Sequence, residues 1–405
     1  MKVLLAPDKF KGSLPAADVA AHLAAGLRAA APEIEVDELP VADGGEGTVA
    51  AALAAGFTAV RLSATGPLGA PVATRYAVRG ATAVVEMAAV SGLEMLTAPD
   101  PGTARRATSR GVGELVAHAL GHGATTVVVG VGGSASTDGG AGMLAALGAR
   151  LVGQAGDLPD GGAALRDLVA VDLAGLHPGL GAARLVLASD VDNPLLGPRG
   201  AAAVYGPQKG ADPATVAVLE AGLTTWVAAL ARTPVPAHAP GAGIAKAPAP
   251  APGAGSAEAP APVAARELAG RPGAGAAGGV GFACLLLGAE RRPGIDVVLD
   301  LAGFARRAAG ADLVITGEGS LDAQSLHGKA PVGVAAAAAA LGVGTVAVCG
   351  RTALAPEQAR AAGLLAVHAL TDLEPDTARS IARAGPLLEQ LAPRIVADLA
   401  PRGHR

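Results

Sequence analysis

Eight acids of this sequence stand in glycine-rich loops: Asp8, Asp43, Glu46, Asp138, Asp190, Asp192, Glu318 and Asp322. The lysines Lys9, Lys11, Lys209 and Lys329 stand in the same loops. In such loops backbone amides can approach a ligand closely, and carboxylates can hold Mg²⁺ while the ion keeps some of its water. Acids for a divalent ion together with lysines for phosphate oxygens are what phosphoryl transfer requires, because the protein mainly positions groups and neutralises developing charge. Any one of these acids, beside Gly and Pro, is also an ordinary turn former. It is the set that points to chemistry.

Other motifs compete for the same residues. The stretch "VVVGVGGSASTDGGAGML" (Val127 to Leu144) contains Gly130-Val131-Gly132-Gly133-Ser134-Ala135, which satisfies the dinucleotide pattern G-x-G-x-x-G/A. That pattern needs an acid about 20 residues on, at the end of the next strand, to hold a ribose. The next strand candidate is "ARLVG", and Asp157 lies beyond it past a Gly-rich turn. Gly273-Ala-Gly275-Ala-Ala-Gly278 also matches, with no strand before it. An NAD(P)-dependent oxidoreductase therefore remains only the alternative. A Walker loop fails because Ala330 follows Gly328-Lys329 where Ser or Thr is needed, and Ala323 stands at the first glycine. His177, His327 and His368 are acid/base candidates, but there is no G-x-S-x-G elbow for a hydrolase. His327, in "SLHGK", reads as a candidate or as a loop cap.

The elements that must position these loops alternate. "KVLLAPD" reads as a strand; Leu14 to Ala31 reads as a helix, with Val19, Leu23 and Leu27 four apart and Pro32 as its stop; "EVDELPVAD" reads as the next strand. The pattern returns in "ADLVITGEG", the helix Pro331 to Leu341, "GTVAVCG" and "GLLAVHAL". Such continuous apolar runs fit a parallel sheet covered on both faces, with ligands outside the carboxyl ends of its strands. Val60 to Leu96 changes texture to short alternating runs between Gly-Pro and Arg-Gly turns, which predicts antiparallel hairpins. Asp212 and Pro213 open a predicted helix through Arg232, with Leu219, Leu223 and Val227 on one face and Trp226 packing there. Thr233 to Ala265 is Ala/Pro/Gly low complexity with little to bury, which predicts a mobile and dispensable excursion.

Composition narrows the classes further. The chain has 405 residues, 51% hydrophobic, enough for a large core and, as a length prior, two domains. Aromatics are 2% and net charge is −4, leaving neither a basic field nor stacking platforms for nucleic acid. "MKVLLAPDKF" has too short an apolar core for a signal peptide. "VGVAAAAAALGVGTVAV" (Val332 to Val348) has turn signals inside it and reads as helix then strand, so no membrane span is expected. Cys284 and Cys349 form no C-x-x-C, so buried thiols in a reducing cytoplasm are expected.

Taken in order, "LLAPDKFKGSL", "LPVADGGEGT", "GVGGSASTDGGAGMLAALGA", "SDVDNPLLGPRGAAAVYGPQKGA", "PGAGAAGG" and "ITGEGSLDAQSLHGKAP" resemble the bacterial glycerate kinases of the first type across nearly the whole chain. The resemblance implies ATP-dependent phosphorylation of D-glycerate, in most members at the 2-hydroxyl, with Mg²⁺. It implies an α/β fold: a parallel-sheet Rossmann or flavodoxin-like domain from both chain ends (1–60 and 290–405), with a second α/β domain (61–289) inserted and the active site in the cleft. The low-complexity stretch 233–265 departs from the family, which usually passes there through a much shorter segment. Residue chemistry then assigns Asp190 as base or orienter of the glycerate hydroxyl with Lys9 as its catalytic partner, and Asp192 and Glu318 near the metal. Lys9, Lys209 and Lys329 would meet phosphates or the glycerate carboxylate. Ser13, Asp43, Glu46 and Ser134 would orient substrate or nucleotide. Asp8, Gly132, Gly133, Asp138, Asn193, Gly275, Gly278, Asp322 and His327 complete the expected binding loops, Asp138 leading into a helix N-terminus. The expected partners are glycerate and ATP, with a homodimer as the assembly option. A non-catalytic sugar-acid-binding protein is the remaining rival.

Overall fold

The computed structural model describes residues 1–233 and 265–399. The expected low-complexity excursion therefore lies, at 234–264, outside the described residues. The chain divides into two compact units, one made of Met1–Phe57 with the chain from Pro293 onward, the other of Thr58–Arg292. The architecture is α/β in both.

The first unit holds a five-stranded sheet, in the spatial order Leu364–Ala369, Gly344–Thr352, Leu313–Leu321, Lys2–Pro7, Glu35–Glu38. Every pairing in it is parallel. Burial of both faces explains why its inner strands read as apolar, whereas the edge strand Glu35–Glu38 is mostly acidic. Val3, Leu5, Leu313 and Ile315 face helices Ala16–Ala30 and Ala384–Leu399, burying Leu23, Leu27, Leu388 and Leu391. Leu4, Ala6 and Val314 face helices Gly294–Ala302 and Ala330–Ala339, burying Ile295, Val298 and Val334. Each fully buried aliphatic side chain contributes about 1.5–3 kcal/mol. Gly26 lets the helices of the first layer approach, because a Cβ there would run into the backbone of Glu389.

Counted along the chain within this unit, the spatial order is the flavodoxin-like one. From Lys2–Pro7 the chain crosses to Glu35–Glu38 on one side, while Leu313–Leu321 lies on the other. This is the topological switch point, where the connections diverge and leave a crevice at the strands' carboxyl ends. Asp8 and Glu318 emerge there.

The second unit holds a six-stranded mixed sheet in the order Glu290–Arg292, Arg184–Ala188, Thr126–Gly130, Thr82–Glu86, Pro71–Arg79, Thr58–Thr65. The last three form the expected hairpins, turned by Gly69 and Gly80, both at positive φ. Thr82–Glu86 then pairs in parallel with Thr126–Gly130, so the meander and the parallel set share one sheet. A separate antiparallel sheet joins Gly156–Asp157, Arg150–Gly153 and Leu168–Asp172.

Helix Pro213–Leu230 starts where the sequence predicts, with the Asp212 carboxylate accepting from the Thr215 amide at 2.7 Å and Pro213 in the first turn. It is long and apolar enough to cross a membrane by length and composition. Leu219, Leu223 and Trp226 are nevertheless fully buried in this unit's core, and Trp226 Nε1 donates to the Gly139 carbonyl at 3.1 Å. Such burial is the mark of a core helix.

Candidate active site

In the first unit, parallel pairing sets two acids side by side. The Asp8 amide donates to the Gly317 carbonyl at 2.8 Å, which places Asp8 alongside Glu318. Asp8 is 6% exposed, and its Oδ1 accepts from the Lys9 amide at 2.6 Å. Burial, and next the charge of Asp43, push its carboxyl up to about 7, against the pull of Lys9. Burial also raises Glu318 above the usual carboxylate range, while Ser325 and Lys329 lower it. Glu318 Oε2 lies 3.9 Å from Lys329 Nζ, whereas its Oε1 is buried without a hydrogen-bond partner among the described residues.

The N-terminal loop and the loop Val41 to Thr48 are tied together. Lys9 Nζ donates to the Glu46 carbonyl at 2.5 Å and stands 3.7 Å from Glu46 Oε2, and the Val41 amide donates to the Pro7 carbonyl at 2.9 Å. Asp43 is half-buried, its Oδ1 accepting from the Gly45 amide at 3.2 Å. Gly294 packs directly on the Asp43 carbonyl, a contact any side chain would prevent. Asp8, Lys9, Asp43, Glu46, Glu318 and Lys329 thus belong to one unit.

Ser13 and Asp322 are engaged in the fold. Ser13 Oγ donates to the Ile381 carbonyl at 2.8 Å, and Asp322 Oδ1 accepts from the Gln324 amide at 2.8 Å. His327 closes the short turn Ser325–His327, and its side chain lies outside the described residues.

The second unit gathers the other candidates. Gly132 and Gly133 follow strand Thr126–Gly130, Gly133 being exposed with φ +70°. Asp138 is 0% exposed. Its Oδ2 accepts from the Ser109 amide and hydroxyl, each at 2.8 Å, and from the Gly142 amide at 3.3 Å; its Oδ1 accepts from the Gly140 amide at 3.1 Å. Burial raises its carboxyl and these donors lower it. Gly140 and Gly142 open helix Ala141–Ala146, so the amides at that helix start are directed at Asp138 itself.

Lys209 is equally enclosed. It is 2% exposed, and its Nζ donates to Ser134 Oγ at 2.7 Å and to the Ser136 carbonyl at 2.6 Å. Gly278 backs the same loop through its main chain, and Gly275 backs the segment at Asn193. The Gly275 amide donates to the Asn193 carbonyl at 2.9 Å, and the Gly278 carbonyl accepts from Gly139 at the same distance. A Cβ on Gly278 would collide with the Ser136 carbonyl. These glycines allow backbone to pack on backbone.

Asp190 is half-buried, two residues beyond strand Arg184–Ala188. Asp192 is exposed and paired with Arg291 at 2.6 Å. Asn193 accepts from the Tyr205 hydroxyl at 2.7 Å and donates to the Arg199 carbonyl at 2.8 Å.

Sequence reasoning missed Thr108 and Ser109, which are both buried. Ser109 supplies two donors to Asp138 and accepts from the Met143 amide at 3.0 Å, while the Thr108 carbonyl accepts from Ser91 Oγ at 2.7 Å. Two adjacent hydroxyl residues ahead of helix Arg110–Gly121 look like a cap, and only the fold shows that they serve a distant loop.

Residues 3–400 match the glycerate kinase family. The chain is 40% identical over 355 residues to the glycerate kinase of Bacillus subtilis, covering 86% of this chain and 85% of that one. It is 41% identical over 342 residues to the glycerate 2-kinase of Escherichia coli, covering 83% and 81%. A crystal structure from Salmonella typhimurium LT2, described provisionally as glycerate kinase 2, superposes with a TM-score of 0.77 at 37% identity, covering 98% of each chain. A match over almost the full length, joined to a parallel sheet with acids at its switch point, means that the chain belongs to the glycerate kinase family and is a kinase.

Proposed function

We propose that the protein transfers the terminal phosphoryl group of ATP to the 2-hydroxyl of D-glycerate with Mg²⁺. The observation that carries the reading is the pairing of Asp8 with Glu318 at the switch point, with Lys9 and Lys329 beside them. Among the described residues no group of three or more His, Cys, Asp or Glu side chains is arranged to hold a metal ion. Mg²⁺ needs no such cage, since one or two carboxylates with phosphate oxygens and water suffice. The buried Glu318 Oε1, unpartnered among the described residues, and the charge-strained Asp8 fit a divalent cation. Bound there, Mg²⁺ would neutralise phosphate charge.

The remaining roles fall to the chain's own groups. Lys9, held by the Glu46 carbonyl, and Lys329 meet phosphate or carboxylate oxygens as point charges. Asp190 accepts the proton of the glycerate hydroxyl, as an acid released at a strand's carboxyl end can. The arginine-paired Asp192 orients the loop that carries Asp190. A reducing cytoplasm suits this reading, since Cys284 and Cys349 are free thiols pushed up to about 12 by burial.

The test is ADP release by the purified chain with D-glycerate, glycolate or hydroxypyruvate, with and without EDTA, and phosphorus NMR of the product. Glycerate-dependent, EDTA-sensitive turnover to 2-phosphoglycerate supports the reading. The 3-phosphate would overturn its regiochemistry, and glycerate binding without ADP release would overturn the reaction.

A further inference from the structure

We infer that Lys209 is a positioning residue, which holds the Ser134–Ser136 segment from inside the second unit and acts on phosphoryl transfer through Ser134 without touching a substrate. This deepens the kinase reading and rests on it.

The geometry has three parts. First, Lys209 ends the turn Pro207–Lys209 and is 2% exposed, so its ammonium is enclosed by protein. Second, both of its hydrogen bonds run to one loop, to Ser134 Oγ at 2.7 Å and to the Ser136 carbonyl at 2.6 Å. Third, the next acid along that loop, Asp138, is locked by Ser109, Gly140 and Gly142. The loop is therefore pinned at both ends by buried polar groups, a satisfied arrangement that fixes one conformation.

Ser134 is the element through which this reaches the reaction. Its oxygen accepts from Lys209, so its own proton must point elsewhere; the lysine decides which way the hydroxyl donates. The Ser136 hydroxyl, by contrast, is buried without a hydrogen-bond partner among the described residues, which leaves the main-chain bond as that residue's tie to Lys209.

Protonation bears on the same clamp. A neutral amine has two N–H groups, matched by the two acceptors present, whereas an ammonium carries a third. Burial pushes Lys209 down to about 7, and Asp138 is the charged side chain that opposes this. The clamp thus titrates near neutrality, and deprotonation leaves both of its bonds in place while removing the charge that strengthens them.

The full-length protein serves for the test, with Lys209→Met, Ser134→Ala and the double variant assayed for kcat and both KM values from about pH 5.5 to 9. Each single variant should lose about 10-fold or more in kcat while KM for glycerate and ATP moves less than about 3-fold. The double variant should be no worse than the weaker single one, because both break one device. Asp8 titrates in the same range, so the wild-type profile near pH 7 should keep its Asp8 component in every variant, while the Lys209 component moves downward in Ser134→Ala, where the ammonium loses an acceptor oxygen, and is lost in Lys209→Met. A KM rise of about 10-fold or more with kcat retained in Lys209→Met, or multiplicative losses in the double variant, would overturn the inference in favour of direct substrate contact. If Lys209→Met does not fold by circular dichroism, Ser134→Ala alone decides, an unmoved Lys209 component counting against the proposal. Wild-type turnover is the control: its absence refutes the kinase reading, and its presence with the wrong pattern refutes this inference.

Discussion

The Asp8 amide reaches the Gly317 carbonyl at 2.8 Å, one residue past the last apolar residue of the first strand. That bond extends the parallel pairing just far enough to bring a second acid, Glu318, alongside the first. Burial first, then the charge of Asp43, and least that of Glu318 raise the Asp8 carboxyl, and that rise is the cost the fold carries for the site.

Asp8→Asn should therefore stabilise the protein at alkaline pH while depressing turnover. The folded value of about 7 lies above the ordinary 3.8. Between these values the native state holds a proton that the unfolded chain has released, so stability falls as pH rises through this window and the loss is complete above it. The asparagine variant should gain on the order of 1–3 kcal/mol at pH 8, shrinking toward zero near pH 4. Urea unfolding at both pH values reads this, and an equal difference at each would refute it.

Asp190→Asn should cut kcat by about 10²–10⁴-fold if its carboxylate takes the hydroxyl proton. The variant should unfold at the wild-type urea midpoint, since Asp190 is only half-buried. Near-normal turnover removes it from the role.

Ser109→Ala should cost about 1–3 kcal/mol, because it takes a hydroxyl from a fully buried carboxylate and an acceptor from the Met143 amide. An unchanged urea midpoint would show that these bonds contribute nothing.

Gly278→Ala should destabilise far more than Gly12→Ala. Both glycines have positive φ, +65° and +76°, which costs an L residue about 1–2 kcal/mol. A Cβ on Gly12 meets nothing within 4 Å, whereas one on Gly278 strikes the Ser136 carbonyl. Equal melting-temperature losses for the two would mean that the loops are not packed as described.

Much of the architecture was legible beforehand because its signals are local. "KVLLAPD", "ADLVITGEG" and "GTVAVCG" are apolar on both faces since helices cover both sides of their sheet, and they appear as strands Lys2–Pro7, Leu313–Leu321 and Gly344–Thr352. The Asp212-Pro213 start of its helix is a cap readable within a few residues. The hairpins after Thr58 were equally plain, but nothing in them told that Thr82–Glu86 would also pair in parallel with Thr126–Gly130, a partnership that depends on chain 44 residues away.

By itself, then, the sequence determined which residues can bear charge in glycine-rich turns and where the strands feeding those turns lie, because composition and periodicity act over a few residues. Tertiary structure alone decided what each charge faces. Lys209 and Lys329 look alike as lysines beside glycine, yet one is sealed against Ser134 and the other stands 3.9 Å from Glu318, partly open to solvent. Asp138 and Glu318 look alike as acids in glycine-rich loops, yet one receives four donors and the other keeps an oxygen with no donor among the described residues. Burial and hydrogen-bond partners come from chain segments far apart in sequence, and they set both the charge state of a side chain and its freedom to meet a ligand.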